Sequence, residues 1–218
     1  FDPPYVPQDN PCGAYVCNFC YQRDERAPRA YLHFEGVDSC FYVWVNGSFA
    51  GYSQVSHSTS EFDVTDMLRE GENTLSVLVL KWCDGSYMED QDKFRMSGIF
   101  RDVYLLRRPE EGVFDFFVKA KPCNGYKDGK IEITFTFLNE QVPVAVKIFD
   151  KEGVLAAQGN AVAGEMALEI RDVRLWNAEC PYLYTLVLET ENEVITDYVG
   201  IREIHTEGKV LYINGTAV

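Results

Sequence analysis

The chain has 218 residues, of which 20 are Lys or Arg and 34 are Asp or Glu, so its formal net charge is −14. This acidity excludes a basic nucleic-acid-binding surface, because an acidic surface repels phosphate. Its 46% of hydrophobic and 25% of charged residues are typical of a folded globular protein. No run approaches the roughly 20 apolar residues of a membrane-spanning helix.

The first predicted element is a proline-rich arm, PPYVPQDNP, at residues 3–11. Prolines hold such a segment extended at little entropic cost, because they restrict the unfolded chain as well. Asn10 therefore has two interpretations. It is either a rigidly held amide that contacts a ligand, or a turn residue before Pro11 in an arm packed against the fold.

Short strands follow along the whole chain. Apolar residues alternate with period two in many segments, of which the clearest are Tyr15/Cys17/Phe19, Phe41/Val43/Val45, Leu75/Val77/Val79, Ile131/Ile133/Phe135 and Val144/Val146/Ile148. Turn dipeptides lie between such segments, namely Asn46-Gly47, Asp84-Gly85, Asp128-Gly129 and Asn214-Gly215. Only residues 63–68 suggest a single helical turn. The sequence therefore predicts an all-β protein.

The seven cysteines do not form the pattern of a disulfide scaffold, because their number is odd and their spacing uneven. A reducing cytoplasm is the expected location. Cys17 and Cys20 have the spacing of a zinc or redox pair, but no second pair or nearby His completes a ligand set. We expect both thiols to lie in a strand over residues 14–20, on opposite faces and buried or half-buried.

A charged Pro/Gly segment at residues 109–112 interrupts the strand predicted at Ile99–Arg108 and indicates a domain boundary. Residues 1–110 are predicted to form a jelly-roll sandwich, and residues 111–204, with some seven short strands, an immunoglobulin-like sandwich. Residues 205–218 begin a hairpin that has no sequel. Because the chain also lacks an initiator Met, we expect it to be part of a longer polypeptide.

Residues 81–102, KWCDGSYMEDQDKFRMSGIFRD, form the most polar inter-strand segment with interleaved aromatic residues. Four carboxylates lie within nine residues here, at Asp84, Glu89, Asp90 and Asp92. Carboxylates accept hydrogen bonds from sugar hydroxyls and aromatic rings pack against sugar rings, so the segment suits carbohydrate binding. The alternative is a solvated loop in which Arg95 and Arg101 pair with the acids.

The same segment is a poor candidate for catalysis. Asp90 and Asp92 could in principle supply the acid and nucleophile of glycoside hydrolysis, which needs two carboxyl groups at a suitable separation. A catalytic acid also requires an apolar enclosure that raises its pKa, and the segment shows no sign of one.

Residues 34–109, which contain EDQDKFRMSGIFRDV, together with NPCGAY at residues 10–15, closely resemble the amino-terminal sugar-binding domain of family 2 β-galactosidases. The second domain resembles the immunoglobulin-like module of that family. Residues 199–218, VGIREIHTEGKVLYINGTAV, resemble the entry to its catalytic TIM barrel. One departure is Phe94, which stands where the best-known members have Trp.

The resemblance implies that catalysis takes place in the barrel and that this chain contributes to substrate binding. In the family two barrel glutamates give retaining hydrolysis through a covalent glycosyl-enzyme, and neither lies in this sequence. The resemblance implies that Asn10 reaches into the galactose site and that Asp92 binds the sugar and an active-site sodium. It also implies that the other sodium ligands and the magnesium ligands belong to the barrel.

The sequence thus leads to an expected function. The chain is the non-catalytic amino-terminal part of a retaining β-galactosidase, inactive by itself, whose substrate-binding residues are Asn10 and Asp92. Its expected partners are a β-galactoside and the TIM barrel of the same polypeptide, the intact enzyme being a homo-oligomer that uses Mg and Na, with no nucleic-acid or membrane partner. The alternative is a stand-alone, lectin-like galactose-binding module.

Overall fold

The computed structural model describes residues 5–89, 92 and 94–218. Within them the secondary structure is almost entirely β, with two 3₁₀ turns at Thr65–Met67 and Asp84–Tyr87. The chain divides into two compact units, Phe1–Arg108 and Pro109–Val218. The all-β prediction and the single helical turn predicted near residue 65 are confirmed.

Unit 1 is a sandwich of two antiparallel sheets. Its strands are β1 (Cys12–Tyr21), β2 (Arg29–Phe34), β3 (Val37–Asp38), β4 (Cys40–Val45), β5 (Ser48–Gln54), β6 (Ser60–Asp63), β7 (Gly71–Leu80), β8 (Gly98–Ile99) and β9 (Val103–Arg108). One sheet has the order β1-β7-β4-β5 and the other β6-β2-β9, while β3 pairs with β8. This is the jelly-roll sandwich that the sequence predicts.

The core of unit 1 lies between its two sheets. Alternate residues of β4 face inward, so that Phe41, Val43 and Val45 are almost fully buried. The rings of Phe34 and Phe41 lie 4.8 Å apart, and that of Phe62 lies 6.0 Å from Phe34 and 5.9 Å from Phe41. These aromatic contacts fix the register of β2, β4 and β6 across the sandwich.

Unit 2 contains a second sandwich and a small additional sheet. Its strands are β10 (Val113–Cys123), β11 (Asp128–Phe137), β12 (Val144–Phe149), β13 (Leu155–Ala161), β14 (Glu165–Ile170), β15 (Tyr184–Glu189), β16 (Val194–Val199), β17 (Ile204–Glu207), β18 (Val210–Ile213) and β19 (Thr216–Ala217). The sheets have the orders β10-β11-β14, β13-β12-β15-β16 and β17-β18-β19. Ile131, Ile133, Ile148 and Leu186 lie at the centre of the sandwich core.

Two of the predicted turns are present as expected. Asn46 and Gly47 both have positive φ, 53° and 81°, and connect β4 to β5. Asn214 and Gly215, at 49° and 74°, connect β18 to β19 in the same way. These are the mirror-image turns that match the twist of a hairpin.

The turn predicted at Asp128-Gly129 is wrong, because both residues begin β11. The positive φ angles lie earlier, at residues 124–126. Asp128 instead closes that turn, since its Oδ2 accepts a 2.6 Å hydrogen bond from Nδ2 of Asn124. Gly129 allows close packing, because a Cβ there would lie 2.8 Å from Cδ1 of Ile201. Asp84-Gly85 likewise forms part of a 3₁₀ turn and not a hairpin.

Two further sequence predictions need correction. Cys17 and Cys20 do lie in one strand, β1, but both are exposed, because β1 is the edge strand of its sheet. The strand predicted at Ile99–Arg108 is interrupted at residues 100–102, so that β8 and β9 belong to different sheets.

Candidate functional site

The candidate site is the long connection between β7 and β8, residues 81–97, together with the arm that precedes β1. The two segments meet at the ends of β1 and β7. The last strand pair is Cys12 with Leu80, and the amide of Lys81 then donates a 3.0 Å hydrogen bond to the carbonyl of Pro11. The arm therefore continues the antiparallel ladder into the loop.

Asn10 forms the next step of this ladder with its side chain. Its Nδ2 donates to the carbonyl oxygen of Trp82 at 2.9 Å, and its Oδ1 accepts from the backbone amide of Trp82 at 2.9 Å. The amide group thus reproduces the two bonds of a backbone pair and holds the arm to the first residues of the loop. One N–H of Nδ2 remains beyond these two bonds.

The first half of the loop is anchored to the sandwich. Ser86 is buried within the 3₁₀ turn, and its Oγ accepts a 3.1 Å hydrogen bond from the amide of Cys83. The same Oγ lies 3.1 Å from Oγ of Ser39, the residue between β3 and β4. The hydroxyl of Tyr87 donates to the carbonyl of Tyr5, so the arm and the loop are joined a second time.

The two arginines of the segment bind backbone carbonyls. Arg95 places Nη2 3.0 Å from the carbonyl oxygen of Ser86 and 3.3 Å from that of Glu89, and its guanidinium carbon lies 5.9 Å from the centre of the Trp82 ring. Arg101 donates to the carbonyls of Glu35 and His57 at 3.4 and 3.3 Å. The bonds of Arg95 fold the loop back on itself. The bonds of Arg101 hold the chain after the loop against the turns that contain Glu35 and His57.

The carboxylates of the loop differ in what they contact. Glu89 accepts two 2.9 Å hydrogen bonds from Ser56, one from the backbone amide and one from Oγ. Asp84 is exposed and accepts a 2.8 Å bond from the amide of the next residue, Gly85. Asp92 is exposed and makes no hydrogen bond or ion pair with the residues that the structure describes. Asp90 lies outside the described residues.

This comparison separates Glu89 from Asp92 by role. Glu89 is a structural residue, because its carboxylate is used to hold the 55–58 turn against the loop. Asp92 presents a carboxylate that can accept hydrogen bonds from hydroxyls or supply an oxygen to a cation. Asn10 is thus bonded from the arm to the start of the loop, and Asp92 lies ten residues after Trp82 in an exposed part of the loop.

The outer part of the loop is unusually apolar for an exposed segment. Met88, Phe94 and Met96 are 87%, 90% and 82% exposed. Among the described residues, none encloses these side chains or Asp92 in an apolar pocket of the kind that surrounds a glycosidic acid. The described part of the loop is thus an exposed surface that combines apolar side chains with the carboxylate of Asp92.

Two thiols lie beneath the loop. Cys40 on β4 and Cys83 are both buried, and burial raises the pKa of the Cys40 thiol to about 11. The pKa of Tyr52 is also raised, first by burial and then by hydrogen bonding to Cys40. Cys40 and Tyr52 therefore stay protonated at neutral pH.

The residues that position the site were missed at the sequence level. Trp82, Ser56 and Ser39 are each joined to the site by contacts between distant parts of the chain, in the first case over 72 residues. The one available signal was the position of Trp82 two residues after the end of β7, where the ladder with the arm would continue.

The fold and the site define a class of protein, a pair of β-sandwiches whose first member carries a polar, aromatic-bearing loop suited to sugars. Family models agree with this class: residues 1–109 match the model described as glycosyl hydrolases family 2, sugar binding domain, and residues 113–202 match the model glycosyl hydrolases family 2. The chain belongs to glycosyl hydrolase family 2.

Curated relatives are β-galactosidases. The chain is 45% identical over 214 residues to that of Actinobacillus pleuropneumoniae, which covers 98% of this chain and 21% of the relative. It is 44% identical over 218 residues to that of Staphylococcus xylosus, covering 100% of this chain and 22% of the relative. The chain therefore spans about a fifth of the length of these relatives.

Solved structures of β-glucuronidases share the fold. An FMN-binding β-glucuronidase from Facaelibacterium prausnitzii has a TM-score of 0.85 and 24% identity, covering 95% of this chain and 35% of that one. A β-glucuronidase from an uncultured Clostridium species has a TM-score of 0.82 and 28% identity, covering 94% and 37%. At 24% identity the first of these similarities bears on the fold alone.

Proposed function

We propose that this chain forms one wall of the substrate site of a retaining β-galactosidase, and that Asp92 binds the galactoside directly. The exposed Asp92 carboxylate carries the proposal, because it is the acid of the loop that accepts no hydrogen bond from any residue that the structure describes. Support also comes from the β-galactosidase relatives at 44–45% identity.

Asn10 has a double role in this proposal. Its two bonds to Trp82 hold the arm and the loop at one place, and the remaining N–H of its amide is available to a sugar hydroxyl. A donor that is already held in place binds a sugar hydroxyl at a lower entropic cost than a mobile one. The chemistry of bond cleavage is assigned to two glutamates of a TIM barrel outside these 218 residues.

A metal ion at this site would use Asp92 as one ligand. A carboxylate oxygen is a suitable donor for Na⁺ or Mg²⁺. Within the described part of the chain, no group of three or more His, Cys, Asp or Glu side chains is placed to hold a metal ion. A sodium ion at Asp92 therefore requires further ligands from the barrel, where we also place the magnesium site.

The cellular setting is part of the proposal. All seven cysteines lie among the described residues and are free thiols, which supports a reducing cytoplasm. Across the described residues, no helix is long and apolar enough to cross a membrane. We propose a homo-oligomeric intact enzyme.

The test is the Asp92→Asn variant of the intact enzyme with a chromogenic galactoside. Loss of a charged hydrogen-bond acceptor costs about 1.5–3 kcal/mol, so kcat/KM should fall about tenfold to a hundredfold or more. The matched control is Asp84→Asn, since Asp84 is an exposed acid of the same loop and should leave turnover within twofold. Near-normal kcat/KM for Asp92→Asn would refute the role.

A second measurement separates this proposal from a stand-alone lectin. The 218-residue chain is titrated with galactose and followed by amide chemical shifts. If the galactose site also needs residues of the barrel, the isolated chain should bind galactose weakly or undetectably. Saturable binding of galactose at submillimolar concentration would instead favour the stand-alone lectin.

A further inference from the structure

Four aromatic side chains lie together on the outer face of the β1-β7-β4-β5 sheet, the face that points away from the core of unit 1. Tyr42 and Trp44 alternate along β4 with buried core residues, so they point outward. On β5, Tyr52 lies opposite Tyr42. Phe49 lies opposite Trp44 in the same way. We call these four residues the aromatic patch.

The rings of the aromatic patch contact one another. The ring of Tyr42 is centred 4.8 Å from that of Tyr52 and 6.1 Å from that of Trp44. The ring of Phe49 is centred 5.7 Å from that of Trp44. Phe49 and Tyr52 are nevertheless 54% and 42% exposed. The patch therefore presents to solvent aromatic rings that their neighbours already hold in place, which lowers the entropic cost of binding a ligand.

The strand residues beside the aromatic patch are uncharged. On the same face, β7 and β1 contribute Thr74, Ser76, Leu78, Ala14, Val16 and Asn18. Along β7, the first charged side chain on this face is that of Glu72, at the beginning of the strand. An aromatic and uncharged sheet face is unusual in a protein with net charge −14, and exposed surfaces of this kind are commonly binding sites.

Two amide side chains lie at opposite corners of this face, on the edge strands β5 and β1. Oε1 of Gln54 accepts a 2.9 Å hydrogen bond from the hydroxyl of Tyr52, and Oδ1 of Asn18 accepts a 2.8 Å bond from Oγ1 of Thr74. The amide oxygens are thus engaged, while the two NH₂ groups are left as donors. Amide donors bind sugar hydroxyls, and aromatic rings pack against the apolar faces of sugar rings.

We infer that the aromatic patch is a further carbohydrate-binding surface of unit 1, and that its ligand is an uncharged oligosaccharide of several hexose units. The exposed rings of Phe49 and Tyr52 pack against the sugars, and the amides of Gln54 and Asn18 donate to their hydroxyls. The inference goes beyond the proposed function and does not depend on the role of Asp92.

Charge and size favour this ligand over other occupants. The net charge of −14 repels an anionic polymer, and the part of the face that carries the patch offers no acid to a cationic partner. A neutral saccharide presents hydroxyls and apolar ring faces, which are the groups that this face can bind. Four strands at the usual spacing span about 14 Å, which is more than one hexose ring covers.

The face adjoins the loop of the candidate site at one end. A Cβ added at Gly85, in the 3₁₀ turn of that loop, would lie 3.6 Å from Cδ of Gln54. The loop therefore borders the corner of the face at which Gln54 lies. Continuity with a segment already suited to sugars is a second reason to assign a saccharide to the patch and not a protein.

The test is a titration of the 218-residue chain with a hexasaccharide of β-linked galactose and with one of β-linked glucose, followed by NMR. The reporters are the indole N–H of Trp44 and the backbone amides of β4 and β5. At least one hexasaccharide should shift them in a saturable manner, with a submillimolar dissociation constant. An oligogalacturonate of equal length, which is anionic, should not. No saturable shift with either neutral hexasaccharide would overturn the inference.

Variants of one exposed ring identify the binding surface. Phe49→Ala should weaken hexasaccharide binding at least tenfold, because it removes an exposed ring, whereas Phe49→Tyr keeps the ring and should bind within twofold of the parent chain. Phe114→Ala is the matched control, since Phe114 lies in unit 2 and is also 54% exposed, and it should not alter binding. Unchanged affinity in Phe49→Ala would overturn the inference.

Two other results would count against the patch. Shifts confined to residues 81–97 would place the hexasaccharide at the candidate site. Self-association of the chain that Phe49→Ala abolishes, without any binding of sugar, would identify a second copy as the occupant. The turnover of Asp92→Asn is measured separately in the intact enzyme, so a failure of the proposed function and a failure of this inference are distinguishable.

Discussion

The side-chain amide of Asn10 and the backbone of Trp82 form a reciprocal pair of 2.9 Å hydrogen bonds across 72 residues of sequence. This pair fixes where the arm and the acidic loop meet. The position of the start of the loop therefore depends in part on one asparagine that precedes the first strand. Its role in holding the loop is separable from a role in contacting sugar.

Asn10 substitutions should separate these two bonds. In Asn10→Ala both are lost, and the amide of Trp82 should exchange with solvent at least tenfold faster than in the parent chain. Asn10→Asp keeps an acceptor for that amide but no donor for the Trp82 carbonyl, so the amide should remain protected. The exchange rate of the Trp82 backbone amide, measured in each variant by residue-resolved hydrogen exchange, tests both expectations. Unchanged protection in Asn10→Ala would contradict the pairing.

Glu89 is expected to act on stability and not on sugar binding. Glu89→Ala removes the carboxylate that accepts hydrogen bonds from the amide and the hydroxyl of buried Ser56, which should lower the free energy of unfolding by about 1–3 kcal/mol. Urea denaturation of the 218-residue chain measures this change. Asp84→Ala serves as the control, because its acid is exposed and bonds only within its own turn, and it should change stability by less than about 0.5 kcal/mol.

The turn that Glu89 holds contains a strained residue. Val55 has φ of 80°, a left-handed value that a β-branched side chain rarely adopts, and its side chain is 54% exposed. Val55→Gly should therefore stabilise the protein, by about 1 kcal/mol, since strain of this kind costs about 1–3 kcal/mol and little packing is lost.

The control for this prediction is Val154→Gly. Val154 is also exposed, at 62%, but it is absent from the described non-glycine residues with positive φ, so glycine there should be neutral or destabilising. Equilibrium unfolding in urea gives the change in the free energy of unfolding for each of the two variants. Equal effects of both substitutions would show that Val55 carries no strain.

The buried thiol beneath the loop predicts a loss of stability at alkaline pH. The pKa of Cys40 is raised from 9.0 to about 11, so the folded state keeps the proton that the unfolded state releases. Its contribution to stability is complete below pH 9 and is lost as the pH rises through about 11. Cys40→Ser should reduce the slope of unfolding free energy against pH in this window, by up to about 1.4 kcal/mol per pH unit.

This experiment is carried out with a reductant present, so that thiol oxidation does not contribute. Cys180→Ser is the control, because Cys180 is exposed, and it should keep the parent slope. A parent slope that Cys40→Ser leaves intact would contradict the assignment of the alkaline transition to this cluster.

The alternation of apolar residues was sufficient to predict the strands and, in β4, the buried face. Phe41, Val43 and Val45 are core residues because the two-residue period of a strand is a local property of the backbone. The turns at Asn46-Gly47 and Asn214-Gly215 are equally local, since they need only two residues that tolerate positive φ. The resemblance of EDQDKFRMSGIFRDV to one family was likewise contained in the sequence.

Only the tertiary structure decided which polar groups are used internally and which remain available. Glu89 and Asp92 are alike in sequence, but the position of Ser56 engages the first and leaves the second exposed. Cys17 has the pattern of a core residue and is exposed, because the sheets do not close beside β1. Such outcomes depend on contacts between residues far apart in the chain, which the local periodicity of a strand does not specify.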